Sequence, residues 1–209
     1  LEYTVTDNVD LIPRAMMRSV TVFCGSSAGS DDVYVREAAL LGKTLAEKKI
    51  RLIYGGAKVG LMGSVADAAL DAGGEVVGVL PRFLRSKEIS HEGLTELILV
   101  ESMHERKTKM HQLSDGVIAL PGGFGTLEEL FEMLTWAQLG LHKNPIGLLN
   151  VNGYYDSLNI LVQGMVDKGF LKLANQRMLL FHENVSELLE AMTNYVAPDI
   201  GKWITEDKV

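Results

Sequence analysis

The sequence predicts a single doubly wound, Rossmann-like α/β domain with a mainly parallel sheet. Three features carry that expectation. Apolar, β-branched runs of four or five residues recur along the chain, and each precedes a stretch with helical periodicity, so strands alternate with helices in βαβ order. Two of the strand-to-helix turns are rich in glycine, which suits sharp bending or close backbone approach to a ligand. At 209 residues, with 47% hydrophobic and 22% charged, the chain can bury one sizeable core and is short for two.

The first strand is read at Val20 to Cys24, apolar and ended by Gly25-Ser26-Ser27. Ser30 or Asp31 then caps a helix to about Lys49, whose Val33, Ala38, Leu41 and Leu45 follow helical spacing. Arg51 to Tyr54 is the second strand, and the turn Gly55 to Gly60 leads into a helix reaching about Ala72. Glu75 to Leu80 is the third strand, followed by a polar connection from Pro81 to Gly93 without periodicity. Leu97 to Val100 is the fourth strand, and Ser102-Met103-His104-Glu105 opens a helix with a capping-box pattern. The alternation continues with a strand at Val117 to Leu120, a helix from Thr126 to Leu139, a strand at Ile146 to Leu149, and a helix from Tyr154 to Lys168. A last helix is expected from Val185 to Tyr195. The expected boundaries are an arm or appended remnant over residues 1–17, the domain over 18–197 and a tail over 198–209.

In an open parallel sheet, ligands bind beyond the carboxyl ends of the strands, where the strand order reverses. Four loops at such ends carry glycine or charge: Gly25 to Ser27, Gly55 to Gly60, Glu101 to Lys107, and Pro121 to Thr126. They are expected to converge on one site. The richest stretch is Pro121-Gly122-Gly123-Phe124-Gly125-Thr126-Leu127-Glu128-Glu129. A turn almost without side chains, feeding a helix, presents unpaired N–H groups and the positive end of a dipole, so phosphate can sit there without a lysine. The same letters also read as a capping box, with Thr126 as cap and Glu129 folding back. Both readings stand, although a capping box needs no preceding glycine pair.

Gly55-Gly56-Ala57-Lys58-Val59-Gly60-Leu61-Met62-Gly63 lacks the Gly-Lys-Ser/Thr of a Walker loop and the spacing of a dinucleotide fingerprint. The following strand ends in Leu80-Pro81 and not in an acidic residue, which disfavours NAD. These glycines serve either tight packing or contact with a ribose or phosphate. Arg106 and Lys107 lie near a helix start, where the dipole disfavours cations; they form either a solvated face or a site for an anion. The Thr135 hydroxyl suits either a carbonyl one turn back or a ligand.

The PGGFGTLEE string resembles the PGGxGTxxE signature of the LONELY GUY (LOG) family, nucleoside 5′-monophosphate phosphoribohydrolases that release cytokinin bases and are often mislabelled lysine decarboxylases. The similarity runs from Val20 to about Leu171 with its motifs in family order. It implies catalysis by Arg106 and Glu129. It also implies a substrate site containing Lys107, Gly123, Phe124, Gly125, Thr126, Leu127 and Glu128. Glu88 joins them from a Lys-Glu-Ile segment that composition alone would dismiss. Thr135 matches the family's Thr-Trp-Ala-Gln-Leu-Gly run, Gly56 lies in a GGxxxGLMG run, and Ser26 completes the expected contacts. The chemistry needs no cofactor, and family members are commonly homodimers. Two other readings remain open: a non-catalytic nucleotide or molybdenum-cofactor binding protein, and the decarboxylase of the legacy labels, which would carry pyridoxal phosphate on a lysine.

The formal charge of −7 argues against neutralising a nucleic-acid backbone but allows a nucleotide monomer. No apolar run approaches the ~20 residues that span a bilayer, and no export leader is visible, so a cytoplasmic protein is expected. The single cysteine, Cys24, fits a reducing compartment. The five histidines show no metal-ligand spacing, so no metal is expected.

Overall fold

The computed structural model describes residues 17–84 and 90–199. The expected arm, apart from Met17, the end of the tail and Glu88 lie outside the described residues. Seven strands form one sheet: β1 (Ser19–Phe23), β2 (Arg51–Tyr54), β3 (Val76–Pro81), β4 (Glu96–Val100), β5 (Gly116–Ala119), β6 (Ile146–Leu149) and β7 (Leu179–His182). Their order is β4-β3-β2-β1-β5-β6-β7, and every pair is parallel. The chain therefore winds outward from β1 to β4, then jumps back and winds the other way from β5, which makes the β1/β5 boundary the switch point.

The helices are α1 (Asp32–Glu47), α2 (Gly60–Asp71), α3 (Met103–Gln112), α4 (Phe124–Gln138), α5 (Asp156–Asp167), α6 (Leu173–Gln176) and α7 (Val185–Thr193). Because strand residues alternate between faces, Val20, Val22, Leu52 and Ile118 pack beneath α1, α2 and α7, while Phe23, Ile53, Val117 and Ala119 pack beneath α3 and α4. Strands β3, β5 and β6 are buried along their whole length, which explains their unbroken apolar sequence. Asp31 caps α1 by accepting from Val33 N, and Ser102 caps α3 by accepting from Glu105 N at 3.1 Å. Glu105 folds back as a capping box requires, but onto Glu101 N.

Four elements differ from expectation. β7 and α6 were not legible, each being four residues long and partly exposed. The helix expected from Tyr154 begins at Asp156, after a 3₁₀ turn over Val151–Gly153 in which Asn152 has φ 52°. α4 begins at Phe124, two residues before Thr126.

Candidate active site

The β1/β5 switch point brings the glycine loops into contact. Gly25 N donates to Pro121 O at 3.0 Å, and Leu61 N donates to Gly25 O at 3.1 Å, so the loop after β1 is tied to those after β5 and β2. A Cβ on Gly60, whose φ is +56°, would collide with the backbone of Ser26. Beyond these ties lies a cavity of about 370 Å³. Its polar wall includes Ser26, Arg106, Thr126, Glu129 and the backbone of Gly123 and Gly125, and its apolar wall includes Met62, Leu84 and Met103.

Gly123 is the N-cap of α4 and offers no side-chain cap. The first bond of the helix runs from Leu127 N to Gly123 O, leaving the N–H groups of Gly123, Phe124, Gly125 and Thr126 before the ladder begins. The capping-box reading is therefore corrected: Thr126 lies inside the helix and is buried, with its hydroxyl packed against Gly122. The glycines of this turn differ in what constrains them. A Cβ on Gly122 would strike Thr126 Oγ1 and approach Gly25 N, whereas Cβ atoms on Gly123 and Gly125 would meet nothing within 4 Å.

Arg106 and Glu129 are 7% and 8% exposed, and Arg106 Nη1 stands 3.9 Å from Glu129 Oε1. Burying two such charges carries a desolvation cost that their mutual attraction, or a ligand's, offsets. The guanidinium lies against Gly55, where any Cβ would collide with Nη2, and its Nε is buried without a hydrogen-bond partner. Cys24 also lines the cavity, but burial, followed by the Glu129 charge, pushes its thiol well above the ordinary range, which works against thiolate chemistry.

Lys107 points elsewhere. Its Nζ lies 2.5 Å from Glu128 Oε1 and 2.9 Å from Glu132 Oε2, one helical turn apart on α4. Burial works to lower its pKa, but these hydrogen bonds and charges prevail and the net shift is upward. Thus Ser26, Arg106, Gly123, Phe124, Gly125, Thr126 and Glu129 come together around the cavity, while Gly56, Lys107, Leu127, Glu128 and Thr135 stand outside its lining. Gly56 packs toward β3, and its neighbour Gly55 takes the wall. Thr135 is exposed, and its hydroxyl donates to Phe131 O at 2.7 Å, the helix-face alternative. Gly55, Met62, Leu84 and Met103 were not singled out from sequence as wall residues; the glycine pair hinted at Gly55, but apolar walls look like core.

Among the described residues no group of three or more His, Cys, Asp or Glu is placed to hold a metal, and no helix is long and apolar enough to cross a membrane.

A protein-family model described as "Possible lysine decarboxylase" matches residues 62–192. The chain is 44% identical over 203 residues to cytokinin riboside 5′-monophosphate phosphoribohydrolase LOG5 of Arabidopsis thaliana, covering 95% of this chain and 89% of that protein. It is 49% identical over 181 residues to the probable phosphoribohydrolase LOGL5 of Oryza sativa subsp. japonica, covering 87% and 74%. Among solved structures, a molybdenum cofactor carrier protein from Chlamydomonas reinhardtii superposes with a TM-score of 0.65 at 21% identity, over 84% of this chain and 96% of that one, a likeness of fold. With a matching family model, this level of identity to phosphoribohydrolases, and the signature glycines at the mouth of a cavity holding Arg106 and Glu129, the chain belongs to the LOG family.

Proposed function

We propose that this cavity hydrolyses the N-glycosidic bond of a purine nucleoside 5′-monophosphate, AMP or a cytokinin riboside 5′-monophosphate, to the free base and ribose 5-phosphate. The observation that carries the reading is a buried arginine–glutamate pair beside a helix N-terminus left uncapped by side chains. The C1′–N bond breaks toward a cationic sugar, water adds its oxygen to C1′, and the departing base nitrogen takes a proton. Glu129 supports this step by stabilising the cation or by accepting the water's proton. Arg106 stabilises the negative charge gathering on the leaving base or holds the phosphate.

Gly123, Phe124, Gly125 and Thr126 hold the 5′-phosphate through backbone N–H groups and the dipole of α4, converting remote binding energy into placement of C1′. Ser26 belongs to the rim of the site in this reading, Gly56 supports the neighbouring wall residue Gly55, and Glu88 contacts the substrate. Leu127, and Lys107 through Glu128, support the start of α4 from behind. The assembly is a homodimer in the cytoplasm, formed by one domain over residues 18–197. Thr135 lies nine residues beyond Thr126, ~13 Å along the helix at about 1.5 Å per residue, so it serves the partner's cavity if it serves one.

Decarboxylation would need a lysine amine free to form an imine with pyridoxal phosphate. Among the described residues no lysine lines the cavity, and the Lys107 amine is held by two carboxylates, so neither supports that reading. Incubation with AMP and N6-isopentenyl-AMP, followed by chromatography, should yield free base and ribose 5-phosphate in equal amounts. Tight nucleotide binding without base release would select a carrier instead. Adenosine, lacking the anchoring group, should be a far poorer substrate than AMP at matched concentration; equal rates would mean a nucleoside hydrolase without phosphate anchoring.

A further inference from the structure

The turn that opens α4 is held from behind by two consecutive tyrosines. Tyr154 Oη donates to Gly122 O at 2.6 Å, and Tyr155 Oη donates to Leu120 O at 2.7 Å. Neither tyrosine, nor Gly122, lines the cavity, whereas Gly123 does. The tyrosines reach the turn because Asn152 and Gly153, at φ 52° and 69°, swing the chain round immediately after β6. Asn150 fixes that swing by accepting from Tyr155 N at 2.7 Å and donating to Asp156 Oδ1 at 2.7 Å. The Tyr154 ring is packed edge-on against Tyr155 and Tyr34, with centroids 4.8 Å and 5.9 Å away.

A trans peptide is planar, with its C=O and N–H pointing to opposite sides. No peptide bond among the described residues is cis. Fixing the Gly122 carbonyl toward Tyr154 therefore turns the N–H of Gly123 the other way, away from Tyr154, and of the two residues it is Gly123 that borders the cavity. The turn needs such a fastening, because Gly123 has no side chain and no neighbour within 4 Å of the Cβ position to limit its rotation. Tyr155 does the same for the Leu120 carbonyl, but the next residue is Pro121, which has no N–H to aim; its hydroxyl anchors the end of β5.

We propose that Tyr154 is a positioning residue for anion recognition, its hydroxyl setting the Gly122–Gly123 peptide so that Gly123 N–H is presented to the substrate's phosphate. This rests on the reading that the phosphate sits at the start of α4. Tyr154 does not touch the reacting atoms, so its effect falls on phosphate affinity more than on the chemical step.

The test is Tyr154→Phe, which removes one oxygen from a side chain 44% exposed and leaves the ring packing intact. Affinity for ribose 5-phosphate is measured by calorimetry, beside KM and kcat for AMP and the melting temperature. The expected result is a rise of about fivefold in both the ribose 5-phosphate Kd and the AMP KM, with kcat changing less, the size of one hydrogen bond's contribution. Unchanged Kd and KM in the variant, with the parent protein binding ribose 5-phosphate, would overturn the positioning role and leave the phosphate reading standing. A loss of kcat that tracks a lower melting temperature, with KM unmoved, would reduce Tyr154 to a packing residue. If the parent protein itself fails to bind ribose 5-phosphate, the phosphate reading falls and takes this role with it.

Discussion

The two glycine-rich turns look alike in sequence and are built for different reasons. In the turn after β2, the glycines answer to the protein's own backbone: Gly60 takes a left-handed conformation against Ser26, and Gly55 makes room for the Arg106 guanidinium. In the turn after β5, Gly122 is likewise required by Thr126, but Gly123 and Gly125 face open space, and Gly123 has an extended backbone that any residue can adopt. A glycine the fold demands and a glycine it does not are indistinguishable as letters. The second kind, at the mouth of a cavity, is the one left open to it. Each turn also supplies half of the buried pair, the first by seating Arg106 and the second by leading into the helix that carries Glu129.

The largest effect should come from the charge behind the second turn. Glu129→Gln keeps the shape of the side chain and removes its charge, so AMP turnover should drop by at least about a hundredfold while nucleotide remains bound in an equilibrium titration. Near-normal turnover would make Glu129 a structural residue. Its partner across the cavity comes next: Arg106→Ala should impair base release severely, and Arg106→Lys should restore only part, because a lysine cannot reproduce the planar fork that lies on Gly55. A lysine variant equal to the parent would show that a point charge is enough.

The turns themselves can then be set against each other. Gly60→Ala forces a Cβ into a left-handed position beside Ser26 and should lower stability by about 2 kcal/mol, read by urea denaturation. Gly123→Ala should leave stability within about 0.5 kcal/mol yet weaken AMP binding on the order of tenfold, since the methyl group sits where the phosphate would. If both variants lost stability equally, the distinction between the turns would be wrong. The smallest change is expected from Glu128→Gln, because Lys107 retains Glu132 as partner; activity should stay within about threefold.

Much of this is legible in the sequence. The alternation of apolar runs with helical periodicity is a local property, so six of the seven strands and the long helices could be placed to within a few residues, and the carboxyl-end rule predicted that the loops after β1, β2, β4 and β5 would meet. What sequence could not supply was tertiary. The reversal of strand order at β1/β5 leaves no mark in local pattern, and β7 is too short and too exposed to alternate clearly. Arg106 and Lys107 carry the same charge at adjacent positions, yet α3 aims one into the cavity and the other onto Glu128 and Glu132. The cavity's apolar wall, including Met62 and Met103, reads as ordinary core in the chain.

A phosphate site made of peptide dipoles, as proposed for the start of α4, has a kinetic consequence. Helix-end partial charges act only over the first turn, and Arg106, the one cation among the described residues that line the cavity, is already compensated by Glu129, so these groups project little attraction into solvent. The protein as a whole carries a formal charge of −7 and its ligand is also an anion. The two repel at distances beyond a few ångströms, and capture relies on contact after random encounter. Association with AMP should therefore quicken modestly as ionic strength rises from ~0.01 to ~0.15 M and the repulsion is screened, the reverse of the salt dependence of sites that steer their ligands with exposed lysines.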